Sequence, residues 1–518
     1  MTGVLIIGAG AAGAAAAWRL ASQGISVTCL EQGGWQHPET SPADQPDWER
    51  RRLNDWSPNP NRRAGPADYP VAHENSPFNP LMVNAVGGST VMWSALMPRM
   101  HPSDFRMHSQ DGIGDDWPIS YGDLAPYYAL NERMNGVAGQ TGNPAYPAEI
   151  QHFLPPAPLL PGERRLIGAF ERLGWAWWPA ELALNTRPHG AGRGTCVGCG
   201  PCEIACPHRA KASADVTYWP AALAAGARLI THARGAEITT NAQGQATGAT
   251  WIDATGTHRH LHAKTVILAA NGVGTPRLLL MNKLANRSGL VGRRLMLHPL
   301  ARVTGTFVER IDGHRGNAAG AIASHQFYES DPTRGFLRGV KFQIMRSTGP
   351  AITALGAGGP RLPWGRAHHS AFAQTFGHTL GVSICSDDLP DPENRVTLSD
   401  ATDSHGLPGA AMHYQVSTNT RAALDFGIAR ARDLMAEAGA RNLHNIPLLR
   451  DAGFHLMGTA RMGDDPETSV TNVWGETHDV PGLFVADGSL FVTAAAVNPT
   501  HTIQALALRQ ADYIAGRK

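Results

Sequence analysis

Cys196, Cys199, Cys202 and Cys206 follow one another as CxxCxxCxxxC, with Pro207 directly behind the last. Thiolates at this spacing can converge from a single loop on a soft metal, and the run with its trailing proline is an iron–sulfur ligand pattern. Only one copy is present. Where two copies occur, the fourth cysteine of each serves the other cluster, so a three-iron centre on Cys196, Cys199 and Cys202 and a four-iron centre completed by Cys206 both remain open. A disulfide or structural thiol loop, a zinc site and inert cysteines are the competing readings, and zinc usually gathers two separated knuckles that this chain lacks. Cys29 and Cys385 stand alone and read as small buried side chains.

A second chemical feature lies at the start of the chain, where Gly8, Gly10 and Gly13 form GxGxxG. The apolar run Val4–Ile7 reads as a buried parallel strand, Ala11 to Ser22 as the helix that the glycine turn opens, and Ser26 to Leu30 as a second strand ending at the acidic Glu31. In that βαβ setting the glycines let the backbone approach a pyrophosphate at the helix N-terminus, and the acid accepts hydrogen bonds from ribose hydroxyls. FAD and NAD both satisfy the pattern.

Further elements must return to this unit. Val216 to Leu223 reads as a helix, Ala227–Thr231 and Lys264–Leu268 as strands, and Gln243 to His262 as an inserted β-meander between them. Residues 35–80 turn to Pro, Asn, Asp and Arg with little periodicity, which predicts a long irregular excursion of the kind that forms lids. Thr420 to Ala438 reads as an amphipathic helix, and Thr500 to Ala515 as a C-terminal one.

At 518 residues the chain exceeds the roughly 250–300 at which one core stops growing, so two domains are expected. Its 44 basic and 43 acidic residues leave no broad field to capture nucleic acid or anionic lipid. Six cysteines, four of them clustered, do not make a secreted disulfide framework. Met1-Thr-Gly-Val4 enters a strand without a leader pattern, so folding is expected to begin in the cytoplasm, with co-export to the periplasm on a partner subunit left open. No apolar run is long enough to cross a membrane, so direct insertion is not expected.

Three more segments carry a resemblance that spans nearly the whole chain. Ala85-Val-Gly87-Gly88-Ser89-Thr90-Val-Met92-Trp93, Ala269-Ala-Asn271-Gly-Val-Gly274-Thr-Pro276, and Phe484-Val-Ala-Asp487-Gly488-Ser489 with Asn498-Pro499-Thr500 fall in the order found in glucose-methanol-choline (GMC) oxidoreductases. The resemblance implies an α/β chain of two domains: a Rossmann-like FAD-binding domain and a discontinuous substrate domain built on an antiparallel sheet. The expected divisions are 1–299 for FAD, including an irregular lid and the cysteine-rich loop 194–211, then 300–450 for substrate with parts of 100–190, and 451–518 returning to the FAD domain.

The resemblance also implies a reaction, in which a base takes the proton of an alcohol while hydride passes from carbon to the flavin. His455 in Gly453-Phe-His455-Leu-Met-Gly458 occupies the base position and Asn498 its partner position, with His501 as a rival base. A neutral imidazole accepts a proton near neutral pH, and an uncharged amide holds the substrate oxygen without competing for it. His298, before Pro299, reads as structural. Gly8, Gly10, Gly13, Glu31, Gly87, Gly88, Ser89, Asp487, Gly488, Asn498, Pro499 and Thr500 are the expected FAD contacts. Pyranose oxidase-like members carry a flavin-linked histidine where this chain has Met92, so the FAD is expected to be non-covalent.

By the same resemblance the substrate is a sugar or cyclic polyol, and electrons leave through a cluster to a cytochrome or other acceptor, with a small escort subunit. An oxygen-reducing oxidase with a structural cysteine loop is the alternative, and a hydroxynitrile lyase with a bystander flavin a minor one. Trp93, Trp117 and Trp364 could stack on a sugar face, although each reads more readily as packing.

Overall fold

The computed structural model describes residues 2–147, 153–356 and 361–517. Its first sheet is parallel at heart, because three of its strands are short apolar runs buried on both faces. Arg228–Ile230, Val27–Leu30, Thr2–Ile7, His258–Leu268 and Leu483–Val485 lie in that order, all parallel. The first half of His258–Leu268 is polar and projects beyond this layer, pairing antiparallel with Ala246–Ile252, which pairs in turn with Arg234–Thr240. This is the expected inserted meander. Ala11–Ser22 begins and ends where the sequence places it, and its run of alanines packs against the C-terminal helix Thr500–Gly516. The helix read from Val216 begins at Tyr218, and extends to Ala224.

A second sheet of six antiparallel strands runs Arg441–Ile446, Leu300–Thr306, Thr379–Ser386, Val340–Met345, Ile322–Phe327, Trp178–Pro179. Strand alternation gives it two unlike faces. Val303, Phe342, Ile344, Val382 and Ile384 are buried in a core with the helices Pro161–Arg172 and Thr418–Glu437. Arg302, Gln343, Met345 and Ser383 instead border a cavity between the two sheets. The segment 35–80 contains short helices, among them Trp48–Arg52 and Pro60–Arg63, and the two-residue strand Val71–Ala72, and it contributes Trp48, Glu49 and Arg52 to the same cavity. Among the described residues no helix is long and apolar enough to cross a membrane.

Candidate active site

The cavity, of about 550 Å³, runs from the glycine fingerprint to the second sheet. Gly8, Gly10, Glu31, Gly88, Ser89, Asp487, Gly488, Asn498, Pro499 and Thr500 all line it, whereas Gly13 and Gly87 lie just behind the lining. Gly88 adopts φ +55°, and a Cβ there would sit 2.8 Å from the Cα of Gly10, so the two glycine turns interlock as only glycines can. Glu31 accepts hydrogen bonds from the Ala9 N–H (2.8 Å) and the Gly33 N–H (2.9 Å), and its burial pushes its pKa up to about 7. Asp487 ties two motifs together, accepting from Asn271 N–H and Thr275 Oγ1 through one oxygen and from Ser489 through the other. Burial raises its pKa too, against these hydrogen bonds.

The features of this cavity fit FAD. Backbone without Cβ atoms faces the space at its fingerprint end, the helix Thr500–Gly516 directs its N-terminus toward it from Thr500, and the indole Nε1 of Trp93 is buried at its wall with no partner among the described residues. Glu31 would hold the adenosine ribose and Ser89 would face the flavin.

The reacting end is built by an antiparallel bridge. Met296 and Met457 exchange backbone hydrogen bonds of 3.0 and 3.1 Å, so His298, two residues after one, meets His455, two residues before the other. Their Nδ1 atoms are 2.9 Å apart. The His298 Nε2 faces only carbonyl oxygens, Ala495 at 2.6 Å and Ala494 at 3.2 Å, so it carries the hydrogen and donates. Its Nδ1 therefore accepts from the Nδ1–H of His455, and the His455 Nε2 keeps an unprotonated lone pair that accepts from Asn498 Nδ2 at 3.4 Å. His298 and Ala495 both hold positive φ, +54° and +65°, a strain concentrated where the ring is aimed.

Asn498 is oriented from behind by Lys341, which projects from the strand Val340–Met345 and donates to Asn498 Oδ1. That bond turns the amide Nδ2–H toward His455. Burial holds both imidazoles neutral, lowering the His298 pKa to about 4 and that of His455 well below the ordinary 6.5, with His298 and the Lys341 charge adding to the latter shift. His501 is not part of this group. Its ring nitrogens face the carbonyls of Met97 and Tyr128 at 3.0 and 3.2 Å, outside the cavity. His298 and Lys341 were not expected in the site; a histidine before proline and a lysine in a mixed apolar strand carry no local signal of their partners.

All four clustered cysteines are free thiols. Burial raises Cys196 and Cys199 to about 11, the neighbouring thiols add to that shift, and Cys202 is raised as well. Among the described residues no three His, Cys, Asp or Glu side chains converge as a metal-ligand set. To hold a cluster the loop would have to draw these thiols together from their present arrangement. What it does hold is Lys211, fully buried, whose Nζ donates to the carbonyls of Cys202, Val91 and Trp93 and so fastens the loop to the segment Gly88–Met92 above the cavity. Cys29 and Cys385 are buried in apolar cores, as expected. Trp93 lines the cavity, Trp117 is fully buried and Trp364 is exposed.

A parallel nucleotide sheet, a glycine-lined cavity and a neutral histidine relay define a flavin-dependent oxidoreductase. Sequence comparison gives the family: the N-terminal and C-terminal GMC oxidoreductase regions match residues 3–300 and 390–507. The chain is 43% identical, over its whole length and 95% of the relative, to a 2-methyl-1,2-propanediol dehydrogenase of Mycolicibacterium austroafricanum. It is 29% identical, over 99% of itself and 97% of the relative, to the fructose dehydrogenase large subunit of Gluconobacter japonicus. A formate oxidase variant of Aspergillus oryzae RIB40 studied for its FAD modification shares the fold, with TM-score 0.68 at 15% identity over 100% of this chain and 99% of the other. The chain belongs to the GMC oxidoreductase family and is an FAD-dependent oxidoreductase.

Proposed function

We propose that the chain oxidises a hydroxyl of a polyol, a sugar or a diol to a carbonyl, with His455 as the base and Asn498 as the group that holds the substrate oxygen. The observation that carries this reading is the His298–His455 relay, which leaves His455 Nε2 unprotonated at the cavity wall beside the Asn498 amide. The Nε2 takes the hydroxyl proton, and Asn498 Nδ2–H donates to the oxygen as negative charge gathers on it. Bound FAD supplies the acceptor for the hydride that leaves the carbon. Met92, lacking an imidazole, supports non-covalent binding. The names of the diol and fructose dehydrogenases support a substrate with neighbouring hydroxyls.

The division into an FAD domain of 1–299, a substrate domain of 300–450 and a returning segment 451–518 belongs to the same proposal, as does folding in the cytoplasm. A partner is supported by the fructose relative's description as a large subunit. Electron exit through an iron–sulfur cluster rests on the CxxCxxCxxxCP spacing alone; the loop would have to close around the metal and release its thiol protons. A second reading has oxygen as acceptor and the thiols as structure, supported by the Lys211 tether that fastens the loop to the segment Gly88–Met92.

Anaerobic reduction of the flavin by a panel of diols, alditols and sugars tests the reaction, and His455→Ala should slow it about 10²–10⁴-fold. Unchanged flavin reduction in that variant would remove His455 from the base position. Iron content, electron paramagnetic resonance and the ratio of dye to oxygen turnover separate the two acceptors.

A further inference from the structure

Beyond the catalytic pair the cavity ends on the polar face of the second sheet. The pairing register places Lys341, which reaches Asn498, opposite Cys385 and Leu300, and one step further along the same face Gln343 lies opposite Ser383 and Arg302. Two residues of extended strand separate these rows by roughly 7 Å. The second row carries buried polar atoms with no hydrogen-bond partner among the described residues: Gln343 Oε1, Arg302 Nε and, just past the strand end, Arg346 Nε and Ser347 Oγ. Gln343 and Ser347 are 5% and 4% exposed, and all four side chains line the cavity.

The charges there do not balance. Glu203 is bonded to Arg52 at 3.0 Å, while among the described residues neither Arg302 nor Arg346 makes an ion pair. Among the described residues each donates only to a backbone carbonyl, Arg302 to that of Arg346 and Arg346 to that of Ser347, and the Arg346 guanidinium also lies over the Trp48 ring at 5.4 Å. Lys211 stands behind as a further cation, with no ion pair among the described residues although Asp215 and Glu203 act on its charge, and Glu49 is engaged by the backbone N–H groups of Ala351 and Ile352. A Cβ on Gly381 would lie 2.7 Å from Arg302 Nε, so the glycine leaves the guanidinium its place against the sheet. Burial lowers the Arg302 pKa and Glu203 only partly opposes it. Buried unpaired cations are costly to maintain, and a planar fork is the geometry that takes a carboxylate.

We propose that Arg302 and Arg346 form a carboxylate subsite, so that the hydroxylated substrate also carries a carboxylate, whose anionic end lies beyond the Lys341 row on the Arg302 side. This deepens the alcohol-oxidation reading and rests on it for the location of the reacting end. Gln343 and Ser347 complete the subsite from its sides, and the discrimination it supplies is between acids and neutral alcohols of equal length.

The test compares ω-hydroxy acids of three to seven carbons with the α,ω-diols of the same lengths, using the FAD-loaded protein. Calorimetry measures binding and anaerobic flavin reduction measures reaction. At least one acid should bind, and react by kcat/KM, about ten- to a hundred-fold better than its diol. Arg302→Gln and Arg346→Gln should each remove most of that ratio. If no acid binds better than its diol, the subsite is refuted even where diols are oxidised, and the alcohol reading stands. If an acid binds with the arginine dependence but never reduces the flavin, the subsite stands and the alcohol reading falls. Should either variant fail to fold, the acid-to-diol ratio of the unaltered protein decides alone.

Discussion

The Nε2 of His455 is free to take a proton because its Nδ1–H is committed to His298, which is committed in turn to the carbonyl of Ala495. Catalysis then requires the neutral imidazole, so kcat/KM should fall on the acid side with an inflection below 6.5, the direction in which burial, His298 and Lys341 displace the group. Lys341 faces Asn498, and Glu181 and Cys385 are the other ionisable groups that act on its charge. His298 and His325 feel that charge as His455 does. Replacing it by methionine removes one cause of the low His455 pKa while leaving the others. In Lys341→Met the acid inflection should move up toward 6.5, and kcat should drop about two- to ten-fold as the Asn498 amide loses its anchor. A pH profile of flavin reduction measures both, and a profile that keeps its inflection would detach Lys341 from the base. His455 and Asn498 were legible because each sits in a short motif. His298 and Lys341 lie 157 residues from the groups they touch, and only the Met296–Met457 bridge and the sheet register bring them there.

At the scale of elements, the segment carrying His455 is clamped between two motifs by main-chain packing. The Leu456 carbonyl would lie 2.5 Å from a Cβ on Gly272, at the start of the helix Asn271–Asn282, and 2.5 Å from one on Gly488. Gly272 does not line the cavity, so its replacement acts through this contact. Gly272→Ala should retain FAD yet lower kcat by about 10²-fold, the scale of loss when a catalytic group is displaced by an ångström. Flavin absorbance against turnover checks the split, and full activity would show that the clamp does not set the ring. The βαβ opening was readable almost to the residue, since apolar runs buried on both faces and a glycine turn leave little choice. The strand read as Lys264–Leu268 begins at His258, because its polar first half is supported only by the hairpin with Ala246–Ile252. The six-stranded sheet had no such signature. Leu300–Thr306 places Val303 in a core and Arg302 on a cavity, and that mixed pattern reads as neither surface nor interior.

For the molecule as a whole, the cavity is the joint between the two sheets. Its lining comes from the glycine fingerprint, the 35–80 excursion, the polar face of the second sheet and the C-terminal segment, so a ligand filling it contacts elements from both ends of the chain. FAD that binds the native state and not the unfolded chain stabilises by mass action, about 4 kcal/mol at a thousandfold excess over Kd. Because both sheets border the space, that stabilisation should be shared. The thermal midpoint of deflavinated protein should rise with the logarithm of added FAD, and far-ultraviolet circular dichroism and flavin fluorescence should report one coincident transition. Two transitions, of which only the earlier moves with FAD, would mean that the six-stranded sheet unfolds independently of the nucleotide half. In that event the wall bearing Lys341 and Arg302 is not held by the cofactor, and the orientation of Asn498 depends on the six-stranded sheet's own core of Val303, Phe342 and Ile384.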